Sequence, residues 1–409
     1  MASSKSELSD AEKELFKYTQ ERNYEEVKRL LTMENVCVDC VDDDGMTPLQ
    51  HAAYKGDYKL CKLLLDCGAD VNLSRHISKY SALTFAGLSG KVDVVSLLLE
   101  HGASTTSVNS INKTAAQMAA FVGNHQVVST INNFIPVEEI DYFTKPRGLE
   151  KEPKLPPSLC NPLHKMVIMT NINPVRLALY IQQNLDLLKN VKKVNRVLEI
   201  LSEKQLKEEG NELLSLKFHH LAFILNACKS FLNDQKVGIE SSSSKEVLFP
   251  LIKCWIKGDE NGFPVVLEKL LRQDVREYPY HDCSLFQQLV RALAPVKIGD
   301  EPSAISIMSE AVNGQRGIDN TVSCSTCGEP DAEKKCSACK SVTYCGKTCQ
   351  KLHWFTHKII CPKLAEMQVK KEAELAAAKA QQQSFDAEAV EEEKNDLPPE
   401  DVSCDKTKN

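Results

Sequence analysis

The sequence lacks long apolar runs and has no strong excess of one charge sign. Its 409 residues carry 50 Lys and Arg against 56 Asp and Glu, a formal net charge of −6. The tail from Asp386 holds nine acidic residues and three lysines, so the preceding chain is neutral overall. No run approaches the roughly 18 apolar residues of a membrane span, and the start lacks a signal-peptide core. We expect a soluble cytoplasmic protein that inserts in no membrane.

Motifs that carry catalysis or nucleic-acid binding are also missing. The sequence contains no glycine-rich cofactor loop, no Asn-His-Ser cofactor motif, no phosphate loop and no Gly-x-Ser-x-Gly elbow. No basic cluster of five residues occurs, and a neutral body argues against nucleic acid as a partner. His219 and His220 invite a metal or catalytic assignment, but neighbouring helical side chains point about 100° apart. The sequence therefore predicts no catalytic residues and a protein that is not an enzyme.

Cysteine is the residue type that indicates a chemistry. Seven of the 16 cysteines fall near the C-terminus, and a histidine completes four pairs of ligands. A short pair can direct two sulfurs at one tetrahedral ion, and each Zn²⁺ takes two pairs, so eight ligands predict two zinc ions with no open position. Such zinc is structural, and the segment is too small to fold without it. The pairs are Cys324-x2-Cys327, Cys336-x2-Cys339, Cys345-x3-Cys349 and His357-x3-Cys361.

Spacing alone leaves adjacent and interleaved pairing open. The same run, with Tyr344 before Cys345 and Trp354 before His357, resembles a MYND finger, whose pairs interleave. His353 competes for the histidine position, but His357 lies one helical turn from Cys361 and His353 lies two. The resemblance implies one zinc held by Cys324, Cys327, Cys345 and Cys349, and another held by Cys336, Cys339, His357 and Cys361.

The MYND resemblance also implies a binding surface. MYND fingers take short proline-containing peptides, and Ser337, Gln350 and Trp354 match positions that contact such a peptide. The alternative is that Trp354 only covers the zinc cluster. Six lysines surround the ligands, which is typical of charge balance for seven thiolates and two dications, with nucleic-acid binding as the alternative.

A repeat occupies the first third of the chain. Thr47-Pro48-Leu49 opens a segment ending at Gly56, and related segments end at Gly90 and Gly123, which are 34 and 33 residues apart. This period and opening resemble ankyrin repeats. Residues 8–135 are predicted to hold a capping repeat, with Asn23 in place of the glycine, and three further repeats. The resemblance implies a protein-binding surface, with finger residues Asp42–Asp44 and Arg75–Ile77 as candidate contacts.

The rest of the chain is predicted from periodicity and composition. Residues 163–298 have helical apolar spacing, and they either extend the solenoid or form a separate bundle. The expected fold is mainly α: an ankyrin solenoid, a helical domain, a two-zinc finger and a disordered acidic tail. The remaining boundaries are a linker at 136–162, a flexible linker at 299–322, the finger at 324–361, a helix at 362–385 and the tail at 386–409.

The combination of domains resembles the ankyrin repeat and MYND domain-containing proteins. That resemblance implies a non-enzymatic adaptor in the traffic or assembly of signalling proteins, with the cilium as its setting. A nuclear corepressor that uses the finger on a transcription factor is an alternative. A protein methyltransferase is another, since some MYND fingers accompany such domains, but the cofactor motifs are missing.

Overall fold

Helix pairs build the N-terminal part of the chain in a computed structural model, which describes residues 8–33, 36–235, 246–260, 262–313 and 322–395. Threonine or serine caps the first helix of all four pairs, and Pro48 follows one of these caps where its missing N–H costs nothing. The apolar faces of both helices then close over one continuous core. The pairs are α1 (Asp10–Gln20) with α2 (Tyr24–Leu31), α3 (Pro48–Lys55) with α4 (Tyr58–Asp66), α5 (Ala82–Ser89) with α6 (Val92–Glu100), and α7 (Ala115–Phe121) with α8 (His125–Asn132).

The turn inside each helix pair needs a left-handed residue. Gly56 has φ +67° there, and Asp57 caps the next helix through Leu60 N–H. In the first pair Arg22 takes this conformation with φ +57°, and Asn23 caps α2. The expectation that Asn23 replaces the glycine is therefore wrong by one position, because an asparagine serves better as the cap.

Further helices follow the array within the same compact unit. Helices α13 and α14 pack along each other, and α18 packs against α8, α14, α16 and α17. The helices are α9 (Val137–Asp141), α10 (Cys160–Ile168), α11 (Pro174–Gln183), α12 (Asp186–Lys189), α13 (Val191–Lys207), α14 (Glu212–Asp234), α15 (Phe249–Trp255), α16 (Val265–Glu277), α17 (Ser284–Leu293) and α18 (Ala304–Asn313). Contact between α18 and α8 shows that this helical region is packed on the last repeat.

A buried lysine lies where the helical region meets that repeat. Lys217 on α14 is fully buried, and its Nζ donates to Asn133 Oδ1 at 2.7 Å. Asn133 Nδ2 donates in turn to Asn313 Oδ1 at 3.2 Å. These three side chains join α14, the end of α8 and the end of α18. Burial lowers the pKa of Lys217 well below its ordinary value, because the ammonium group loses its water.

The two predicted linkers are wrong where the structure places helices in them. Within 136–162, α9 and two 3₁₀ turns bury Ile140, Phe143 and Leu155, and the Leu155 N–H donates to Phe143 O at 2.9 Å. Within 299–322, α18 buries Ile307 and Met308, while residues 314–321 lie outside the described residues. Buried apolar residues hold the described parts of these two segments against the rest of the chain, although no long periodic run marks them.

The C-terminal unit contains a short hairpin and one long helix. Strand β1 (Lys334–Lys335) pairs antiparallel with β2 (Thr343–Tyr344), and α19 runs over Lys347–Asn395. The helix thus begins inside the ligand cluster and continues past residue 385, where the sequence predicted a disordered tail. Residues 396–409 of that predicted tail lie outside the described residues. No helix of the described chain is both long and apolar enough to cross a membrane.

Candidate metal centre and peptide surface

The first cysteine turn, the hairpin of β1 and β2, and the first turns of α19 bring the eight ligands together. The Cys324–Cys327 turn is held to β2, because Ser325 N–H donates to Thr343 O at 2.9 Å. Thr326 Oγ1 donates to Cys349 O at 3.0 Å, which ties the same turn to the first turns of α19. Lys340, with φ +55°, closes the second cysteine turn through a bond to Cys336 O. The hairpin and α19 thereby gather the ligands into two groups.

The second predicted zinc group has the distances that a tetrahedral ion requires. Ligands at about 2.3 Å for sulfur and 2.0 Å for nitrogen place neighbouring donor atoms roughly 3.5 to 3.8 Å apart. Cys336 Sγ and Cys361 Sγ are 3.9 Å apart, and His357 Nε2 lies 3.4 Å from Cys336 Sγ and 3.6 Å from Cys339 Sγ. All four residues are buried. This donor set fits one structural Zn²⁺.

The first predicted group meets the same test. Cys324, Cys327, Cys345 and Cys349 have sulfur atoms within 4.8 Å of one another, and the Cys345 and Cys349 sulfurs are 3.5 Å apart. Three of the four are buried and Cys345 is exposed. The structure therefore groups the ligands in the interleaved order implied by the MYND resemblance. Two groups of four ligands fit two structural zinc ions and leave no ligand position open.

His357 and His353 have separate places. His357 supplies Nε2 to the second group, and its buried Nδ1 has no hydrogen-bond partner among the described residues. The His353 ring stacks on His357 with centroids 5.5 Å apart, and its Nδ1 lies 3.1 Å from Tyr344 Oη. Burial lowers the pKa of His353 to about 4, with the neighbouring His357 as a further cause. His353 is thus an uncharged support for the ligand histidine and lies outside both groups.

The backbone also prepares a thiolate for the metal. Burial alone would raise the pKa of the Cys336 thiol, but hydrogen bonds from the backbone of Cys339 and Ala338, together with those of the Cys339 and Cys361 thiols, lower that pKa overall. A lowered pKa favours the thiolate, which is the form that binds zinc. The nearby Tyr344 hydroxyl has a raised pKa, because burial and the surrounding thiols disfavour its anion. Tyr344 therefore stays a neutral partner of His353.

The predicted peptide residues are all accessible, at least in part. Ser337 is exposed in the turn between Cys336 and Cys339, and Gln350 is partly buried. Trp354 is 50% exposed, and its ring centroid lies 6.0 Å from that of His357. Gln350 and Trp354 are four residues apart on α19 and so share a helix face. The tryptophan both contacts the zinc-ligand histidine and leaves half of its surface open.

The ankyrin finger residues divide between structural and exposed roles. Asp42 accepts N–H bonds from Asp44 and Met46, and its Oδ2 lies 2.7 Å from His51 Nε2. Asp42 is therefore occupied within its own repeat. Ile77 has 77% of its surface exposed at the next finger. Tyr54 and Phe121, which the sequence analysis did not select, expose 53% and 86% of their surfaces on α3 and α7.

The histidine pair on α14 does have a carboxylate partner, which sequence reasoning missed. His220 is fully buried, with Nδ1 at 2.5 Å from Asp274 Oδ2 and Nε2 at 2.8 Å from Ile172 O. His219 Nε2 lies 3.4 Å from Asp274 Oδ1. Asp274 comes from α16, 54 residues from His220, so no local spacing could reveal it. The arrangement joins α14 to α16, and it is not among the groups with metal-ligand geometry in the described chain.

Comparison with known protein families identifies both modules. The MYND finger family model matches residues 324–361, and the ankyrin repeat model with three copies matches residues 5–75. Dauer abnormal formation protein 25 of Caenorhabditis elegans is 36% identical over 324 residues, which is 78% of this chain and 82% of that protein.

Two further relatives match single regions. Zinc finger MYND domain-containing protein 10 homolog of Drosophila melanogaster is 41% identical over 79 residues, 19% of this chain and 16% of that protein. The 26S proteasome non-ATPase regulatory subunit 10 of Dictyostelium discoideum is 39% identical over 79 residues, 19% of this chain and 34% of that protein. Similarity to these two proteins is therefore restricted to part of each chain.

Proposed function

The chain belongs to the family of ankyrin-repeat and MYND-finger proteins, and from this premise we propose that it is a non-enzymatic adaptor. Both domains are protein-interaction modules. The observation that carries the proposal is their presence in one chain, with the eight zinc ligands all used for structural ions. Zinc without an open position holds a shape and activates no water. The two surfaces would bind different partners.

At the finger, we propose that short proline-containing peptides bind across Ser337, Gln350 and Trp354. The half-exposed Trp354 ring supports this, because an aromatic side chain offers a rigid wall to a proline. The shared helix face of Gln350 and Trp354 supplies an amide beside that wall.

The peptide proposal is tested with the purified full chain and two labelled peptide libraries, one with a fixed central proline and one with alanine there. We expect the proline library alone to bind. Trp354→Ala should weaken binding by at least about 2 kcal/mol, as expected of a central aromatic anchor. Ile359→Ala is the matched control, because Ile359 is 73% exposed on the same helix. Equal binding by Trp354→Ala and the intact chain would refute this site, provided both bind zinc equally.

We further propose a role in the traffic or assembly of signalling proteins, in the cytoplasm and at the cilium. This setting is what membership of the family suggests, and live imaging of a fluorescent fusion in ciliated cells tests it. We expect signal in the cytoplasm and at the cilium. Signal confined to the nucleus would contradict the proposal and favour a corepressor.

A further inference from the structure

A groove of about 820 Å³ runs between the last ankyrin finger and the turn that joins α13 to α14. We call it the hairpin groove. One wall is the finger segment Ser104–Thr106, and the other includes Gln205, Glu209 and Asn211. Its volume lies within the roughly 300 to 1,000 Å³ typical of ligand pockets, which leaves room for a few peptide residues.

The lining of the hairpin groove is rich in hydrogen-bond acceptors and lacks positive charge. Glu139 and Glu209 line it, and within the described chain no lysine, arginine or histidine does. Its other polar members are hydroxyl and amide side chains, and apolar residues such as Ile131 and Ile135 complete it. This lining would attract a cation and repel an anion.

Lys204 shows that one cation already fits between the two carboxylates. Its Nζ lies 3.1 Å from Glu139 Oε2 and 3.3 Å from Glu209 Oε1. One lysine cannot neutralise two carboxylates, so Lys204, Glu139 and Glu209 together keep one negative charge. Glu139 and Glu209 are 23% and 43% exposed at their side chains, and each can accept further hydrogen bonds.

An independent observation points to a ligand that donates hydrogen bonds. Gln205 is 1% exposed and lines the groove, yet its Oε1 has no partner in the described part of the chain. A buried acceptor without a donor is unfavourable, and such a group calls for an explanation beyond packing. The Gln205 backbone carbonyl is already used, since it accepts from Asn211 N–H at 2.8 Å. A donor-bearing ligand in the groove would supply the missing partner.

We propose that the hairpin groove binds a basic peptide segment of a partner protein, with an arginine or lysine side chain beside Glu139 and Glu209. The aliphatic floor takes the peptide's apolar atoms, and Gln205 Oε1 accepts one of its N–H groups. The proposal rests on the adaptor function and gives the ankyrin end a partner chemistry. It differs from a site on the repeats alone, because the second wall comes from the helical region.

The proposal is tested with the purified full chain and two nonapeptide libraries, one with a central arginine and one with citrulline, its uncharged isostere. We expect the arginine library to bind preferentially and its affinity to fall as salt rises. The double variant Glu139→Gln/Glu209→Gln should weaken binding by about tenfold. The control Glu14→Gln/Glu100→Gln removes the same charge from exposed positions on α1 and α6 and should bind as the intact chain does.

A second variant separates loss of the binding site from loss of the fold. Thr106→Lys places a resident cation on the exposed finger wall, and it should abolish the arginine preference while far-UV circular dichroism is unchanged. Equal binding of the arginine library to the intact chain and to both groove variants would overturn the proposal. Binding of free spermidine to the intact chain, with no binding of either peptide library, would overturn it in favour of a small cation. Either result leaves the adaptor function standing if the finger still binds its proline peptides.

Discussion

Replacing Lys217 with methionine is expected to flatten the pH dependence of stability in the unit that contains α14. Lys217 is fully buried, its Nζ donates to Asn133, and no described carboxylate pairs with it. Because burial lowers its pKa well below the ordinary value, the folded chain holds this side chain as an uncharged amine. The unfolded chain keeps the ordinary pKa of about 10.4.

The sign and size of the effect follow from proton linkage. Between the folded and unfolded pKa values the unfolded state binds one proton more, so the free energy of unfolding rises with pH. For one proton the rise is at most about 1.36 kcal/mol per pH unit. From pH 7.5 to 9.5 this adds up to about 2.7 kcal/mol in the wild type, and methionine has no proton to lose.

Urea unfolding at several pH values, followed by far-UV circular dichroism with zinc present, measures the difference between wild type and variant. At any one pH the variant can be more or less stable than the wild type, because losing the amine also leaves Asn133 Oδ1 without its donor, at a cost of about 1 to 3 kcal/mol. The slope against pH is diagnostic. Lys165→Met, an exposed lysine on α10, is the control and should parallel the wild type. Parallel curves for Lys217→Met would refute the reasoning.

Three further variants test the zinc finger, the core of the repeats and a helix cap. Cys345→Ser should abolish one zinc group and unfold the finger while the thermal transition of the ankyrin array persists. Native mass spectrometry counts the bound zinc ions, and calorimetry follows the transition. Loss of the array transition would contradict separate folding. Leu98→Ala removes a fully buried side chain and should cost about 2 to 5 kcal/mol by chemical denaturation, whereas a cost near zero would mean that the site collapses. Thr47→Ala breaks the capping box with Gln50 and should cost about 1 to 2 kcal/mol, with Thr47→Ser close to wild type; equal losses would exclude the cap as the cause.

Sequence reasoning succeeded where spacing alone carries a physical requirement. Cysteine turns must direct two sulfurs at one ion, so the two-zinc cluster could be predicted from eight positions. The repeat signature similarly joins a capping threonine to a left-handed glycine, as at Thr47 and Gly56. The pairing of the zinc ligands needed family resemblance, because both pairings satisfy the count.

Sequence reasoning failed where folding depends on distant contacts. The apolar residues of α18, Ala304, Ile307 and Met308, have helical spacing, but the sequence predicted a flexible linker there. What orders this helix is its packing against α14 and α16, and Glu268 on α16 accepts the Ala304 N–H at 2.9 Å. The Asp274 partner of His220 also comes from another helix, so local pattern could not supply it.

Partner sets in living cells test the adaptor account most directly. Proximity labelling should compare the intact chain with Trp354→Ala at the finger and with Tyr54→Ala/Phe121→Ala on the first helices of the repeats. Tyr58→Ala, on the second helix of its repeat and 40% exposed, is the control. Point variants are preferable to deleting the repeats, since deletion would uncover Lys217 and α18. If the chain has two separate binding ends, the two lesions remove different sets of partners and the control removes none. Loss of the same set by both lesions, or of none by either, would contradict two separate binding ends.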